Sequence, residues 1–181
     1  MNKSATDRLD KLKEAANSGD ASAQYEYSES LDAELKTDQP HDEAIRYLRL
    51  SAEQGYADAQ YRLGSRYHYG LYVSQNYSQA VRWLALAAEK GKPEAQNELG
   101  FMYSEGLGVE RSDAISTMWF LKAAENGLPE AMYNIGCCYL DGRGVDTSFP
   151  EAARWFMDAA MHGDKDAVER LKEMIEDVES D

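Results

Sequence analysis

Five glycines spaced 36 residues apart constrain the fold of this chain more than any other feature. Each closes a phrase of the same kind, in which a pair of small residues is followed by two variable residues and the glycine. The five positions are Gly19, Gly55, Gly91, Gly127 and Gly163. A fixed period of about 20 to 50 residues is the signature of a repeat protein, in which each unit buries its apolar side only by stacking on its neighbours. The sequence therefore predicts an elongated stack of 36-residue units.

The first half of each unit has the spacing of an amphipathic helix. Counted from the preceding glycine, positions 4, 8 and 12 are apolar, as Ala95, Leu99 and Tyr103 are in the third repeat. This spacing predicts one apolar stripe on a helix of about 13 residues. Three units also carry a glycine at position 9, and a glycine inside a helix costs about 1 kcal/mol relative to alanine. We therefore expect the second helix to approach these glycines closely through small side chains. The glycines are Gly64, Gly100 and Gly136, and the small residues expected to face them are Ala80, Ser116 and Ala152.

The junction between the two helices carries signals of helix termini. The first helix is expected to end at Gly70, Gly106 or Gly142, because glycine tolerates the left-handed conformation of a C-terminal cap. Asn76 and Ser148 each precede a Gln or Glu by three residues, which is the spacing of a capping box at the start of the second helix. Tryptophan recurs in the second helix beside Leu or Phe, so we expect it to pack in the core and not to stack on a ligand. These tryptophans are Trp83, Trp119 and Trp155.

Together these patterns predict an all-α chain of about ten helices and no strands, forming one domain over residues 1–181. The predicted parts are an N-terminal capping helix at 5–18, repeats at 20–55, 56–91, 92–127 and 128–163, and a C-terminal capping helix within 164–181. The last segment is rich in Asp and Glu, as expected of a cap that shows a solvated outer face.

The formal net charge of −14 limits the classes of partner. It argues against nucleic acid, whose phosphates require clustered Lys and Arg, and against an anionic membrane surface. No segment approaches the roughly 18 apolar residues of a membrane span, and the first residues lack the apolar run of a secretory signal. The only cysteines are the neighbours Cys137 and Cys138, which we expect to be free thiols in a reducing compartment. The expected location is the cytoplasm.

No catalytic constellation is visible in the sequence. His41, His68 and His162 lie far apart, and none belongs to a metal-binding helix motif such as His-Glu-x-x-His. The Gly-x-Gly phrases at 106–108 and 142–144 follow a predicted helix and not a strand, so they are interpreted as turns and not as phosphate loops. We therefore expect a protein that is not an enzyme and holds no cofactor or metal.

Several spaced motifs recur in the three best units. In the third repeat they are Leu99-Gly-x-x-Tyr103, Gly106-x-Gly-Val109, Trp119-Phe120 and Ala123-Ala-x-x-Gly127. This pattern over residues 20–163 resembles the Sel-one-like repeat, a relative of the tetratricopeptide repeat. Two loops depart from it: Leu31 to His41 lacks the Gly-x-Gly-Val phrase, and the loop 70–73 lacks the second glycine. The resemblance implies a right-handed α/α superhelix, or solenoid, in a family of scaffolds and adaptors that bind other proteins. Some bacterial members guard against secreted toxins or regulate signalling, and a disulfide-tied subgroup has cysteines that this chain lacks.

The resemblance also indicates where a partner would bind. In tetratricopeptide-like stacks, the side of the first helices opposite the apolar stripe lines a concave groove. Aromatic side chains there have no core role and are candidate anchors, and Phe101 stands out because it has no polar group. The predicted protein-binding residues are Tyr25, Glu29, Tyr61, Ser65, His68, Tyr69, Asn97, Phe101, Glu105, Tyr133, Cys137 and Asp141.

The leading hypothesis is a non-enzymatic module that binds a peptide or a folded protein in this groove. Its favoured form is a bacterial immunity or inhibitor protein of a basic toxin, because negative charge speeds association with a cationic partner. The alternative is a regulatory adaptor or scaffold in a signalling or secretion assembly. An enzyme or small-ligand carrier and a structural protein that self-associates are the other classes considered. We expect a monomer or a weak dimer, because acidic end helices disfavour endless stacking.

Overall fold

The computed structural model of the chain describes residues 3–34 and 41–180, with side chains described from 9 to 33 and from 41 to 176. These residues form ten α-helices and no strand, with the bounds α1 Lys3–Asn17, α2 Ala21–Glu34, α3 Asp42–Glu53, α4 Ala57–Tyr69, α5 Tyr77–Glu89, α6 Pro93–Glu105, α7 Asp113–Glu125, α8 Pro129–Asp141, α9 Phe149–Met161 and α10 Lys165–Ser180. The helix starts recur at the 36-residue period of the sequence, as in α4, α6 and α8. The predicted all-α repeat fold is confirmed.

The helices are distributed over two compact units. Unit 1 comprises residues 1–90 and contains α1 to α5, and unit 2 comprises residues 91–181 and contains α6 to α10. Within each unit, every helix packs on the helices that precede and follow it in the chain. The grouping of the chain into one solenoid domain with a capping helix at each end stays a prediction. The departure predicted between Leu31 and His41 falls largely on residues 35–40, which lie outside the described residues.

The predicted helix termini are confirmed at both ends of the inter-helix loop. Gly70, Gly106 and Gly142 adopt left-handed conformations, each with φ of 69°, and close α4, α6 and α8. Asn76 and Ser148 accept a hydrogen bond from the backbone N–H three residues later, at 3.0 and 3.4 Å. Ser112, which the sequence pattern did not single out, does the same for α7 at 3.3 Å. Each cap satisfies one of the N–H groups that a helix start leaves without a partner.

The glycines inside the first helices mark close helix–helix contact, but the residues that face them differ from the prediction. A β-carbon added to Gly100 would lie 2.7 Å from the ring of Phe120. One added to Gly136 would lie 2.6 Å from the ring of Phe156. At Gly64 it would lie 2.8 Å from Leu84. The prediction of close approach is therefore confirmed, whereas the prediction that small residues make this contact is wrong. Those small residues, one turn earlier on the second helix, are buried without being the nearest neighbours: Ala80, Ser116 and Ala152.

In the three repeats that contain a tryptophan, the core is built around the residue that follows it. Leu84, Phe120 and Phe156 are almost completely buried, whereas Trp119 and Trp155 are only half-buried. Lys122 lies 4.2 Å from the ring of Trp119, and Arg154 lies 4.9 Å from that of Trp155. These tryptophans therefore cover the core edge and carry a cation on their ring faces. Trp83, in contrast, is buried in the core of unit 1, as predicted.

Candidate functional site

The predicted binding residues divide between the two units. Those on α2 and α4 form the unit-1 face, which comprises Tyr25, Glu29, Tyr61, Ser65, His68 and Tyr69. Those on α6 and α8 form the unit-2 face, which comprises Asn97, Phe101, Glu105, Tyr133, Cys137 and Asp141. The geometry of each face is set by the helices of its own unit.

The carboxylates of the unit-1 face are compensated by arginines from the next repeat. Arg62 on α4 donates two hydrogen bonds to the Glu29 carboxylate on α2, from Nε at 3.0 Å and from Nη2 at 2.8 Å. Arg66, one turn further along α4, pairs with Asp32 and lies 3.8 Å from Glu29. The hydrogen bonds that Arg62 donates to Glu29 raise the pKa of Arg62. Burial lowers the pKa of Arg66, against the opposing effect of the Glu29 charge. Sequence reasoning missed both arginines. The available signal was an acid in one first helix followed 33 or 34 residues later by an arginine in the next first helix.

The aromatic residues of the unit-1 face have unequal exposure. Tyr25 is half-buried and lies against the ring of Tyr56, with 5.4 Å between the ring centroids. His68 is buried and stacks on Tyr69 at 4.3 Å, while Tyr69 itself is exposed. Tyr69 therefore lies on the surface. His68 lies beneath it, where it orients the Tyr69 ring and does not itself offer a contact to a partner protein.

The unit-2 face combines an exposed aromatic ring with a surplus of acids. Phe101 is 43% exposed on the middle of α6. Helices α6 and α8 contain no Lys or Arg, and their carboxylates are Glu94, Glu98, Glu105, Glu130 and Asp141. The arginine and lysine nearest in sequence pair at the helix ends, where Lys92 contacts Glu94 at 3.3 Å and Arg143 contacts Asp141 at 3.2 Å. The middle of the face therefore presents Phe101 on helices that bear only negative charge.

Other side chains of the unit-2 face hold its two helices together. Asn97 is buried and accepts a hydrogen bond from Asn134 at 2.9 Å, which ties α6 to α8. Tyr133 is half-buried, with its ring centroid 5.4 Å from that of Phe156. Burial raises the pKa of Tyr133, and the neighbouring Cys137 adds to the shift. Burial also raises the pKa of the Cys137 thiol. Asn97 and Tyr133 thus serve mainly to fix the surface on which Phe101 stands.

Within the ranges 9–33 and 41–176, whose side chains are described, no three or more His, Cys, Asp or Glu side chains lie together in a way that could hold a metal ion. Within the ranges 3–34 and 41–180, no helix combines the length and the apolar character needed to cross a bilayer.

The repeats match the sequence model of a known repeat family. The sequence model of the Sel1 repeat matches residues 21–56, 57–92, 93–128 and 129–164, one residue later than the boundaries predicted from the glycines. The chain is 40% identical to a protective antigen of uropathogenic Escherichia coli that displays an SLR fold, with a TM-score of 0.88 over 92% of this chain and 36% of the antigen. It is 32% identical to a Sel1 repeat protein from Oxalobacter formigenes, with a TM-score of 0.81 over 92% of this chain and 48% of that protein.

A third solved structure shares the fold at lower identity. It is the cysteine-rich protein B of Helicobacter pylori, which is 23% identical, with a TM-score of 0.58 over 72% of this chain and 93% of that protein. No curated protein matches the chain. The chain spans less than half the length of the Escherichia coli and Oxalobacter proteins.

Proposed function

The chain belongs to the Sel1 repeat family, whose repeats generally mediate protein–protein interaction, and we propose that it binds a basic partner protein through its unit-2 face. The family fold is a non-enzymatic interaction scaffold. We propose accordingly that this chain acts by binding and catalyses no reaction.

The observation that carries this proposal is the exposure of Phe101 on a face whose two helices, α6 and α8, contain carboxylates and no basic residue. An aromatic ring supplies a large apolar contact area at low conformational cost, and such residues dominate the energetics of protein interfaces. The surrounding acids suit a partner whose contact surface is rich in Lys and Arg, because complementary potentials speed encounter and reject partners of like charge. Asn97 and Tyr133 are held by neighbouring side chains, so the surface is ordered before a partner arrives.

The distribution of charge along the chain supports the choice of unit 2. Residues 91–181 contain 19 Asp and Glu against 8 Lys and Arg, a net charge of −11. Residues 1–90 contain 14 against 11, a net charge of −3. A cationic partner is therefore attracted mainly to unit 2, and this attraction weakens with salt over a Debye length of about 8 to 10 Å.

The favoured form of this function is an inhibitor or immunity-type protein of a basic toxin in the bacterial cytoplasm. A second form, a regulatory adaptor in a signalling or secretion assembly, uses the same face. The two forms differ in stoichiometry and lifetime. An inhibitor forms a tight one-to-one complex that abolishes the partner's activity, whereas an adaptor forms weaker complexes with more than one partner. Calorimetric titration of the purified partner distinguishes them.

Site-specific photo-cross-linking tests the location of the face. A photoreactive phenylalanine analogue replaces Phe101 in one sample and Phe149 in a control. Phe149 is the same residue type in the same unit, is 46% exposed, and starts α9 away from the first-helix face. We expect the Phe101 probe to capture one basic protein in the native host and the Phe149 probe not to capture it. Equal capture by both probes, or capture of acidic proteins alone, would contradict the proposal.

Charge substitution tests the electrostatic part separately. The double variant Glu105→Gln, Glu130→Gln removes two exposed acids from α6 and α8, and the control Glu110→Gln, Glu125→Gln removes two exposed acids of unit 2 from outside these helices. Both variants change the net charge equally. We expect the association rate of the captured partner at low salt to fall several-fold more for the first variant. Equal rates for the two variants would place the contact elsewhere.

A further inference from the structure

Tyr72 occupies a backbone position that favours glycine. It is the only residue other than glycine with a positive φ in the described ranges, at 60°. The equivalent residues in the next two repeats, 36 and 72 positions later, are Gly108 and Gly144, with φ of 73° and 71°. The loop of the second repeat therefore keeps the same backbone conformation although its second glycine is missing. A tyrosine in the left-handed region has a backbone cost that glycine avoids.

The ring of Tyr72 contacts side chains of two other segments of unit 1. It stacks on His41, with ring centroids 3.4 Å apart and 13° between the planes. The guanidinium of Arg66 lies 5.4 Å from the ring centroid. His41 is itself fixed by Asp32, whose carboxylate lies 2.7 Å from Nδ1. Despite these contacts, Tyr72 remains 44% exposed, so a rigid aromatic surface faces outward.

This exposed surface borders a cleft of about 560 Å³ between α3 and the loop that joins α4 to α5. Its apolar wall is formed by Ile45, Leu50, Tyr67, Tyr72 and Val73. Leu50 is exposed, and the hydroxyl of Tyr67 accepts a hydrogen bond from Arg49 at 3.0 Å. The volume lies within the range of ligand-binding clefts.

The charged residues around the cleft balance one another. Arg46 and Arg49 face Asp42 and Glu53, two cations against two anions. A strongly charged ligand therefore gains little net attraction here, in contrast to the unit-2 face. The exposed polar residues Ser74, Gln75 and Asn76 edge the same cleft.

We propose that this cleft binds an uncharged, extended peptide segment of a partner protein, with Tyr72 as the anchoring contact for an aliphatic or aromatic side chain. The charge balance selects an uncharged segment, the apolar wall supplies the contact area, and the polar edge suits a peptide backbone. This cleft lies in unit 1, and the proposal does not depend on the unit-2 face.

A peptide selection tests the proposal directly. A phage-displayed library of random peptides is panned against the full chain and counter-selected against Tyr72→Gly. We expect uncharged peptides with aliphatic or aromatic residues, whose Kd rises at least about tenfold on Tyr72→Gly, the loss of one buried aromatic anchor. Their binding is expected to change less than about twofold between roughly 50 and 500 mM NaCl, because no net charge is neutralised.

Matched variants separate this site from the unit-2 face and from a folding defect. Tyr72→Gly installs the residue that the next two repeats carry at this position, and Tyr72→Phe keeps the ring. We expect both to keep the helical circular dichroism of the wild type, Tyr72→Phe to retain the peptides, and Phe101→Ala to leave their binding unchanged. If Tyr72→Gly loses helicity, Tyr72→Asn replaces it, since asparagine tolerates the left-handed region. The proposal is overturned if no peptide discriminates against the variant, if the selected peptides are charged and released by salt, or if Phe101→Ala abolishes their binding.

Discussion

The first-helix faces of the two units are built on the same hairpin but compensate their carboxylates differently. On the unit-1 face, Arg62 and Arg66 pair with Glu29 and Asp32 of the preceding repeat. On the unit-2 face, α6 and α8 contain acids and no basic residue, and Phe101 is exposed among them. The buried positions that keep the 36-residue period are similar in both units. The comparison shows that the period fixes the packing, while the outward positions are free to give each unit its own surface.

The loops that join the paired helices also differ between the two units. In unit 2, Gly108 and Gly144 occupy the left-handed backbone position that Tyr72 occupies in unit 1. Unit 1 thus has exposed aromatic residues on its loop and at the end of α4, Tyr72 and Tyr69, whereas unit 2 has Phe101 in the middle of α6.

The largest effect is expected from truncating the core residue that packs on a helical glycine. Phe156→Ala in unit 2 should lower the free energy of unfolding by about 3–5 kcal/mol, and Leu84→Ala in unit 1 by about 2–5 kcal/mol, through lost transfer energy and the cavity that remains. Both side chains are fully buried. Urea denaturation measures the loss. Hydrogen exchange should then rise more in residues 91–181 for Phe156→Ala, because the cluster around Phe156 lies in that unit. A loss below about 1 kcal/mol would contradict this packing.

The arginines of unit 1 should have very different effects when removed. Arg66 has a side-chain exposure of 5%, and Arg62 has one of 48%. Arg66→Met removes the arginine from the Asp32 carboxylate, which is only 13% exposed and keeps its contact with His41, so we expect the free energy of unfolding to fall by about 3 kcal/mol. Arg62→Met breaks a largely solvated pair and should cost less than about 1 kcal/mol. Equal losses in thermal or urea unfolding would show that the two pairs do not differ in burial.

Much of the fold could be predicted because the signals repeat. The left-handed cap at Gly106 and the N-cap at Ser148 were predictable, since each depends on a local residue type with one dominant conformational preference. The helix length of 13 residues followed from the apolar stripe, and α4, α6 and α8 have this length.

The inter-helix contacts could not be predicted with the same success. Which residue faces Gly136 depends on how far the second helix is displaced along its axis. A shift of one turn replaces Ala152 by Phe156, and both are apolar. The burial of Asn97 and the pairing of Arg66 with Asp32 likewise depend on side chains from a different repeat, so no local pattern indicates them.

A smaller effect is expected at the helical glycines themselves. Gly136→Ala improves helix propensity by about 1 kcal/mol but forces a β-carbon to within 2.6 Å of the Phe156 ring. We expect a net loss of about 1–3 kcal/mol, as is usual for overpacked cores. The double variant Gly136→Ala, Phe156→Leu provides the control, because its smaller side chain makes room. If Gly136→Ala lowers the free energy of unfolding as much in the Phe156→Leu protein as in the wild type, contact with Phe156 is not the cause of the loss.

The smallest effect concerns pH and is confined to unit 2, which contains both cysteines. Burial raises the pKa of Cys137 and of Cys138 above the ordinary value of 9.0. The unfolded thiols ionise first, so the stabilising contribution is complete below that pH and is lost as pH rises through and above it. Urea unfolding should therefore show a larger loss between pH 8 and 10 for the wild type than for Cys137→Ala, Cys138→Ala. Identical pH dependence in both proteins would mean that the thiols are not protected by burial.

The affinity of the captured basic partner for Phe101→Ala and for Phe149→Ala tests the central claim most directly. The two substitutions remove the same side chain at similar exposure within unit 2, so they differ mainly in the face that they alter. We predict that Kd rises at least about tenfold for Phe101→Ala and less than about threefold for Phe149→Ala, as expected for an anchor and for a residue outside the interface. Equal Kd values for the two variants, or a larger rise for Phe149→Ala, would contradict the assignment of the unit-2 face as the binding surface.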